Sequence, residues 1–120
     1  MKVAVSSKGK TLDSELDARF GRAACFILVD LNTMAYEAVE NTQNSNAVQG
    51  AGIQAAKTVA DHGVGAVITG NCGPKAFAVL NKAGISVITG LSGNVKDAIE
   101  KYKNGELSPT EGPNVNGHWK

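Results

Sequence analysis

The chain predicts an α/β fold on a mixed five-stranded sheet, and three observations carry that expectation. Val67-Ile68-Thr69-Gly70 recurs twenty residues later as Val87-Ile88-Thr89-Gly90. Each copy continues with two residues, a glycine (Gly73, Gly93) and a helical pattern. Strands alternating with helices imply parallel pairing, with helices covering the sheet. An apolar stretch and an alternating stretch within residues 24–40 read as a hairpin that extends the sheet on the other side of the first strand. The 120 residues suit one domain, since domains hold ~100–150 residues. We place that domain at residues 1–107 and a tail, marked by Pro109, Gly112, Pro113 and Gly117, at 108–120.

In chain order, Val3-Ala4-Val5 is a short buried-strand signal that runs into the polar loop Ser6–Lys10. Residues 11–22 are irregular and end in Arg19-Phe20-Gly21-Arg22. Residues 24–30 are rich in Phe, Ile, Leu and Val and predict a second, antiparallel strand. Leu31–Met34 is a turn. Tyr36–Glu40 alternates like a half-exposed edge strand. A first helix is expected over about 47–62, with Val48, Gly52, Ala55, Ala56, Val59 and Ala60 on one face. A second is expected over about 74–83, with proline in its first turn and Gly84 as its stop. A third, over about 94–103, carries Val95, Ala98, Ile99 and Tyr102 on one stripe and closes at Gly105. Val3, Val67 and Val87 are expected on neighbouring parallel strands.

Composition narrows the function. Hydrophobic residues make up 42% and charged residues 19%, a globular balance rather than a disordered one. A formal net charge of +1 gives no basic excess for gripping nucleic acid. The longest apolar run, Ala23 to Val29, falls far short of the ~20 residues of a membrane-spanning helix, and the start lacks a signal-peptide core. A cytoplasmic location with no membrane partner is therefore expected. Cys25 and Cys72 are too few for a disulfide framework.

Ligands in open α/β sheets sit at the carboxyl ends of the strands. That edge would gather Ser6-Ser7-Lys8, Gly70-Asn71-Cys72-Gly73-Pro74-Lys75 and Gly90-Leu91-Ser92-Gly93-Asn94. Two of these loops open helices, whose free N–H groups and positive dipole end favour anions. From His62 through Lys96 there is no Asp or Glu, and the only two arginines, Arg19 and Arg22, share one loop. Buried α/β elements lack acids anyway, but here the loops and helix starts lack them too, so an anion site is the preferred reading. Cys72 at a helix start reads as a nucleophile or metal ligand of lowered pKa, or as a small half-buried side chain. Cys25 reads as core and His62 as a helix-end cation. Phe20 walls a pocket or fills the core. In the tail, Trp119 is a lid or a surface aromatic, and His118 is a candidate soft-metal ligand.

Several chemistries lack their residues. No segment fits the Walker phosphate loop, and Gly50-Ala51-Gly52 lacks the third glycine and the strand context of a dinucleotide fingerprint. Two Cys and two His without a Cys-x-x-Cys make a poor zinc set. The first strand ends in serines rather than the carboxylates of a two-metal nuclease, and no nucleophile elbow is present.

Together these motifs resemble the dinitrogenase iron–molybdenum cofactor family, the NifX/NifB C-terminal type of small cluster-binding domain. The resemblance spans nearly the whole chain. It lies in Val3-Ala4-Val5-Ser6-Ser7, Arg19-Phe20-Gly21-Arg22-Ala23, Gly50 to Ala56, Val67 to Ala76, Leu80 with Ala83-Gly84-Ile85, and Ala98-Ile99 through Gly105-Glu106-Leu107. It implies a three-layer ribonuclease H-like fold, with a mixed sheet in order 3-2-1-4-5 and strand 2 antiparallel. It also implies a protein that binds or carries preassembled metal–sulfur clusters rather than an enzyme, with cluster-assembly or ATPase proteins as partners. Nitrogenase carriers often have His where Arg19 stands, which argues against His ligation of an iron–molybdenum–sulfur cluster here. The chain is similar instead to the orange proteins of sulfate reducers, which hold an anionic molybdenum–copper sulfide cluster without covalent attachment. The implied cradle comprises Ser6, Lys8, Arg19, Phe20, Gly21, Arg22, Gly70, Asn71, Cys72, Gly73, Pro74, Gly90, Leu91, Ser92 and Gly93. A soft, weakly hydrated polyanion suits arginine, backbone N–H groups and apolar walls, and Cys72 would suit copper. Two alternatives stand beside this: a thiol enzyme with Cys72 as nucleophile, and a protein-interaction module with a vestigial pocket.

Overall fold

The computed structural model describes residues 1–41 and 51–110. The elements are β1 (Lys2–Ser7), β2 (Cys25–Asp30), β3 (Tyr36–Glu40), α1 (Ala51–Asp61), β4 (Ala66–Ile68), α2 (Pro74–Lys82), β5 (Ser86–Ile88) and α3 (Val95–Lys103). They form one five-stranded sheet in the order β3-β2-β1-β4-β5. β2 runs antiparallel to both β1 and β3, while β1, β4 and β5 are parallel, with Val5 beside Ile68 and Ile68 beside Ile88. This is the expected topology. The start of the first helix as read from sequence, residues 47–50, lies outside the described residues.

The sheet alternation sorts the core into two layers. Side chains alternate between faces along a strand. Ala4, Phe26, Leu28, Val67 and Val87 therefore pack under α1 and α2, through Ala55, Ala56, Val59, Ala76 and Leu80. Val3, Val5, Ile27, Val29, Ile68 and Ile88 pack under α3, through Val95, Ala98 and Ile99. Helices on both faces make the three layers. β1 lies in the middle of the sheet and is buried from Val3 to Ser7. The small residues of the first layer let the helices meet closely: a Cβ on Gly52 of α1 would lie 3.1 Å from that of Ala76 on α2.

Residues 8–23 have no regular secondary structure of their own, yet they are laid across the carboxyl edge of the sheet. Single bridges join Ser7 to Leu16, Glu15 to Asn94 and Arg19 to Asn71. Leu16 donates its N–H to Gly93 O at 2.8 Å, and Asp17 donates its own to Ser6 O at 2.9 Å. The irregular segment is thus a strap that ties together the ends of β1, β4 and β5. At the far edge, the segment read as the start of a tail is tied down too. Thr110 donates its N–H to Val87 O at 2.7 Å, and its hydroxyl accepts from the Thr89 N–H at 3.1 Å. Among the described residues no helix is long and apolar enough to cross a membrane.

Candidate functional site

The strand ends, the strap and the helix starts converge on one edge. At its centre the buried Ser6 hydroxyl lies 2.7 Å from both Asp17 O and the Thr69 hydroxyl. Ser6 is fully buried, so it braces the strap against β1 and β4 rather than facing a ligand. Asp17 Oδ1 accepts the Arg19 backbone N–H at 3.0 Å, an Asx-turn bond, and lies 3.4 Å from Arg19 Nε. The carboxylate is buried while the Arg19 side chain is two-thirds exposed (66%).

The strap is stitched directly to the loop after β4. Asn71 donates its N–H to Ala18 O at 2.7 Å and accepts the Phe20 N–H at 3.2 Å. The next loop joins the same edge, with Gly90 N–H on Gly70 O at 2.9 Å and Leu91 N–H on Thr69 O at 3.3 Å. The glycines at the junctions are there for packing between chain segments. A Cβ at Gly70 would sit 2.8 Å from Ala18 Cα, and one at Gly21 would sit 2.9 Å from Gly52 Cα. Gly90 and Gly93 differ: their φ values are +84° and +96° with open space around them, so turn geometry requires them.

The two helix starts do not offer the same donors. α2 begins at Gly73 with no side-chain cap, a proline in its first turn and no acidic residue there. The start of α3 is closed. Asn94 Oδ1 accepts the Asp97 N–H at 2.8 Å, Val95 donates to Ser14 O at 2.9 Å, and Lys96 donates to Leu12 O at 2.9 Å. The strap has taken the place an anion would need, which corrects the expectation that this helix start offers free N–H groups to an anion.

A cleft of about 290 Å³ opens between the strap and the loop after β5, lined by Lys8, Glu15, Leu16, Asp17, Ala18, Arg19, Leu91, Ser92 and Gly93. The edge is therefore not acid-free. Glu15 and Asp17 arrive from the strap, outside the acid-poor stretch of sequence. Lys8 and Glu15 pair at 3.4 Å with both side chains exposed, a contact worth little in water. Arg22, Pro74 and Lys75 are exposed.

Two aromatic and thiol expectations resolve toward the interior. Phe20 is 1% exposed and packs on Phe26 with ring centroids 5.2 Å apart, so it fills the core. Cys72 is 1% exposed, and burial pushes its thiol up to about 11. That reverses the lowered pKa expected at a helix start, because desolvation of the thiolate outweighs the helix dipole. Cys25 packs in the opposite layer, its thiol 2.9 Å from Gly9 O, with its pKa also raised by burial. Both cysteines are free thiols. Among the described residues no group of three His, Cys, Asp or Glu side chains is placed to hold a metal ion. His118 and Trp119 lie outside those residues.

The edge just described belongs to a small three-layer domain, and solved structures share the overall fold. Residues 1–105 match the dinitrogenase iron-molybdenum cofactor family, and the chain belongs to that family. The apo form of the orange protein from Desulfovibrio gigas superposes with a TM-score of 0.93 at 43% identity, over 95% of this chain and 96% of that one. A proposed NifB protein from Thermotoga superposes with a TM-score of 0.77 at 34% identity, over 90% of this chain and 91% of that one. An uncharacterized protein of Methanocaldococcus jannaschii is 31% identical over 82% of this chain and 86% of its own length.

Proposed function

We propose that this protein binds and carries an anionic metal–sulfur cluster without covalent attachment, the cluster being cargo rather than a resident cofactor. The observation that carries the reading is the start of α2, which has no side-chain cap and no acid in its first turn, bridged at Asn71 to the loop that holds both arginines. Family membership and the likeness to the orange protein support the class of cargo. A molybdenum–copper sulfide is preferred over an iron–molybdenum–sulfur cluster, because Arg19 stands where nitrogenase carriers often have His. The chemistry of the donors fits. Arginine is weakly hydrated and presents a fork of N–H groups to large soft anions, and the α2 start adds backbone donors and a dipole.

The thiol-enzyme alternative is disfavoured. A buried thiol with its pKa near 11 is almost wholly protonated at neutral pH, and the thiolate is the nucleophile.

The test is uptake. Apo-protein given tetrathiomolybdate and a copper salt should develop visible charge-transfer absorption that co-elutes with the protein. Arg19→Gln and Arg22→Gln should each weaken retention by about tenfold, the scale of one charge-assisted contact of ~1.5 kcal/mol. Folded wild-type protein that takes up no cluster would overturn the reading.

A further inference from the structure

We propose that Asp17 is the positioning residue for Arg19 and that its charge limits how tightly this edge holds its anion. The proposal rests on the cluster-carrier reading and deepens it.

The geometry is asymmetric. Asp17 is anchored on all sides: its backbone N–H donates to Ser6 O at 2.9 Å, and its carbonyl accepts from the Ser6 hydroxyl at 2.7 Å. Ser6 is in turn joined to Thr69 at 2.7 Å. Asp17 is therefore fixed to the ends of β1 and β4. Arg19 hangs from Oδ1 of that carboxylate by its backbone N–H and by Nε alone. A guanidinium has five N–H donors, so a single contact at Nε leaves the two terminal nitrogens for something else. A purely structural pair would use the bidentate geometry that guanidinium and carboxylate favour. Here a buried acid holds an exposed base by its inner edge, fixing the stem of the side chain while its head remains accessible.

The same carboxylate acts on the cargo. It is a negative charge beside the cation that would contact a polyanion, so it opposes binding while it orients the donor. Lys8 and Glu15, the other charged side chains of the cleft, pair with each other at the surface and leave the Asp17–Arg19 couple to set the local balance. A carrier must release what it holds, and a built-in counter-charge provides for that.

The experiment compares Asp17→Asn with Asp17→Ala, titrating tetrathiomolybdate alone at low and moderate salt. The amide of Asp17→Asn keeps an oxygen that accepts both Arg19 bonds but removes the charge. It should bind about tenfold tighter than wild type, as expected for one unit charge within a few ångströms of a polyanion near a surface. Asp17→Ala removes both orientation and charge and should bind no tighter than wild type. In Asp17→Asn/Arg19→Gln the gain relative to Arg19→Gln should persist, because the carboxylate repels the anion directly. Independently of any cargo, the Arg19 Nε–H proton should exchange slowly with solvent in wild type and in Asp17→Asn, and rapidly in Asp17→Ala. Unchanged or weaker binding by an Asp17→Asn protein of native melting temperature would overturn the charge-setting role. Rapid Nε–H exchange in wild type would overturn the positioning role. Wild-type protein that ignores thiomolybdate would remove the cluster reading and the charge-setting role together, and the exchange measurement would still decide positioning.

Discussion

The units β4–α2 and β5–α3 share the run Val-Ile-Thr-Gly, and their structures diverge from its threonine onward. Gly70 is pressed against Ala18, while Gly90 stands in open space at a φ of +84°. Cys72 is buried where its counterpart Ser92 is exposed. Gly73 leads into a helix start with no side-chain cap, whereas Asn94 caps a start already filled by the strap. Thr69 bonds inward to Ser6, and Thr89 bonds outward to Thr110. A duplicated local sequence has thus produced one helix start without a side-chain cap and one filled by its own chain. What separates them is residues 8–23, which lie in neither unit.

The largest expected effect tests the first glycine of each. Gly70→Ala should destabilise the protein by about 2–3 kcal/mol, because the new methyl meets backbone of a strap bonded at several points. Gly90→Ala should cost only about 1–2 kcal/mol, the penalty of a left-handed φ for a side chain. Urea unfolding of both variants measures the difference; equal losses would mean that the strap yields at Ala18.

The next contrast is Cys72 against Ser92. The unfolded thiol ionises near 9.0 and the native one near 11. Between those values the native state holds more protons than the unfolded state. The stability this contributes is therefore full below pH 9 and lost as pH rises toward 11. The loss should be on the order of 2 kcal/mol, and Cys72→Ala should remove it, whereas Ser92→Ala should not. Unfolding free energies between pH 8 and pH 11 decide the point. Cys25 is shifted in the same direction, so some alkaline sensitivity should remain in Cys72→Ala.

The smallest effect concerns the caps. Asn94→Ala should cost about 1 kcal/mol through loss of the bond to Asp97 and should leave thiomolybdate uptake unchanged, since the start of α3 is already filled. Uptake that falls in Asn94→Ala would mean that the second unit also meets the cargo.

Much of this could be read from residues alone. The repeated Val-Ile-Thr-Gly, the alternation of Tyr36–Glu40 and the apolar run of residues 24–30 marked the strands, because strand signals are local and periodic; the full sheet order was what the family resemblance implied. The edge was harder. Acids were absent from the stretch that supplies two of its loops, but Glu15 and Asp17 arrive from an irregular segment whose contacts are long-range and carry no period. One signal was present: Asp17 two residues before Arg19 is Asx-turn spacing. The closure of α3 had no such signal, because Ser14 and Leu12 satisfy it with main-chain carbonyls, which any residue type provides. Phe20 and Cys72 went inward into the core layer under α1 and α2, where Phe20 packs on Phe26, a placement decided by packing rather than by their own chemistry.

The two sulfhydryl groups lie in opposite layers, with the β-sheet between them. No intramolecular crosslink can join them without taking the sheet apart, and neither is well exposed to a second molecule. Oxidation therefore has no short route to a bond between them.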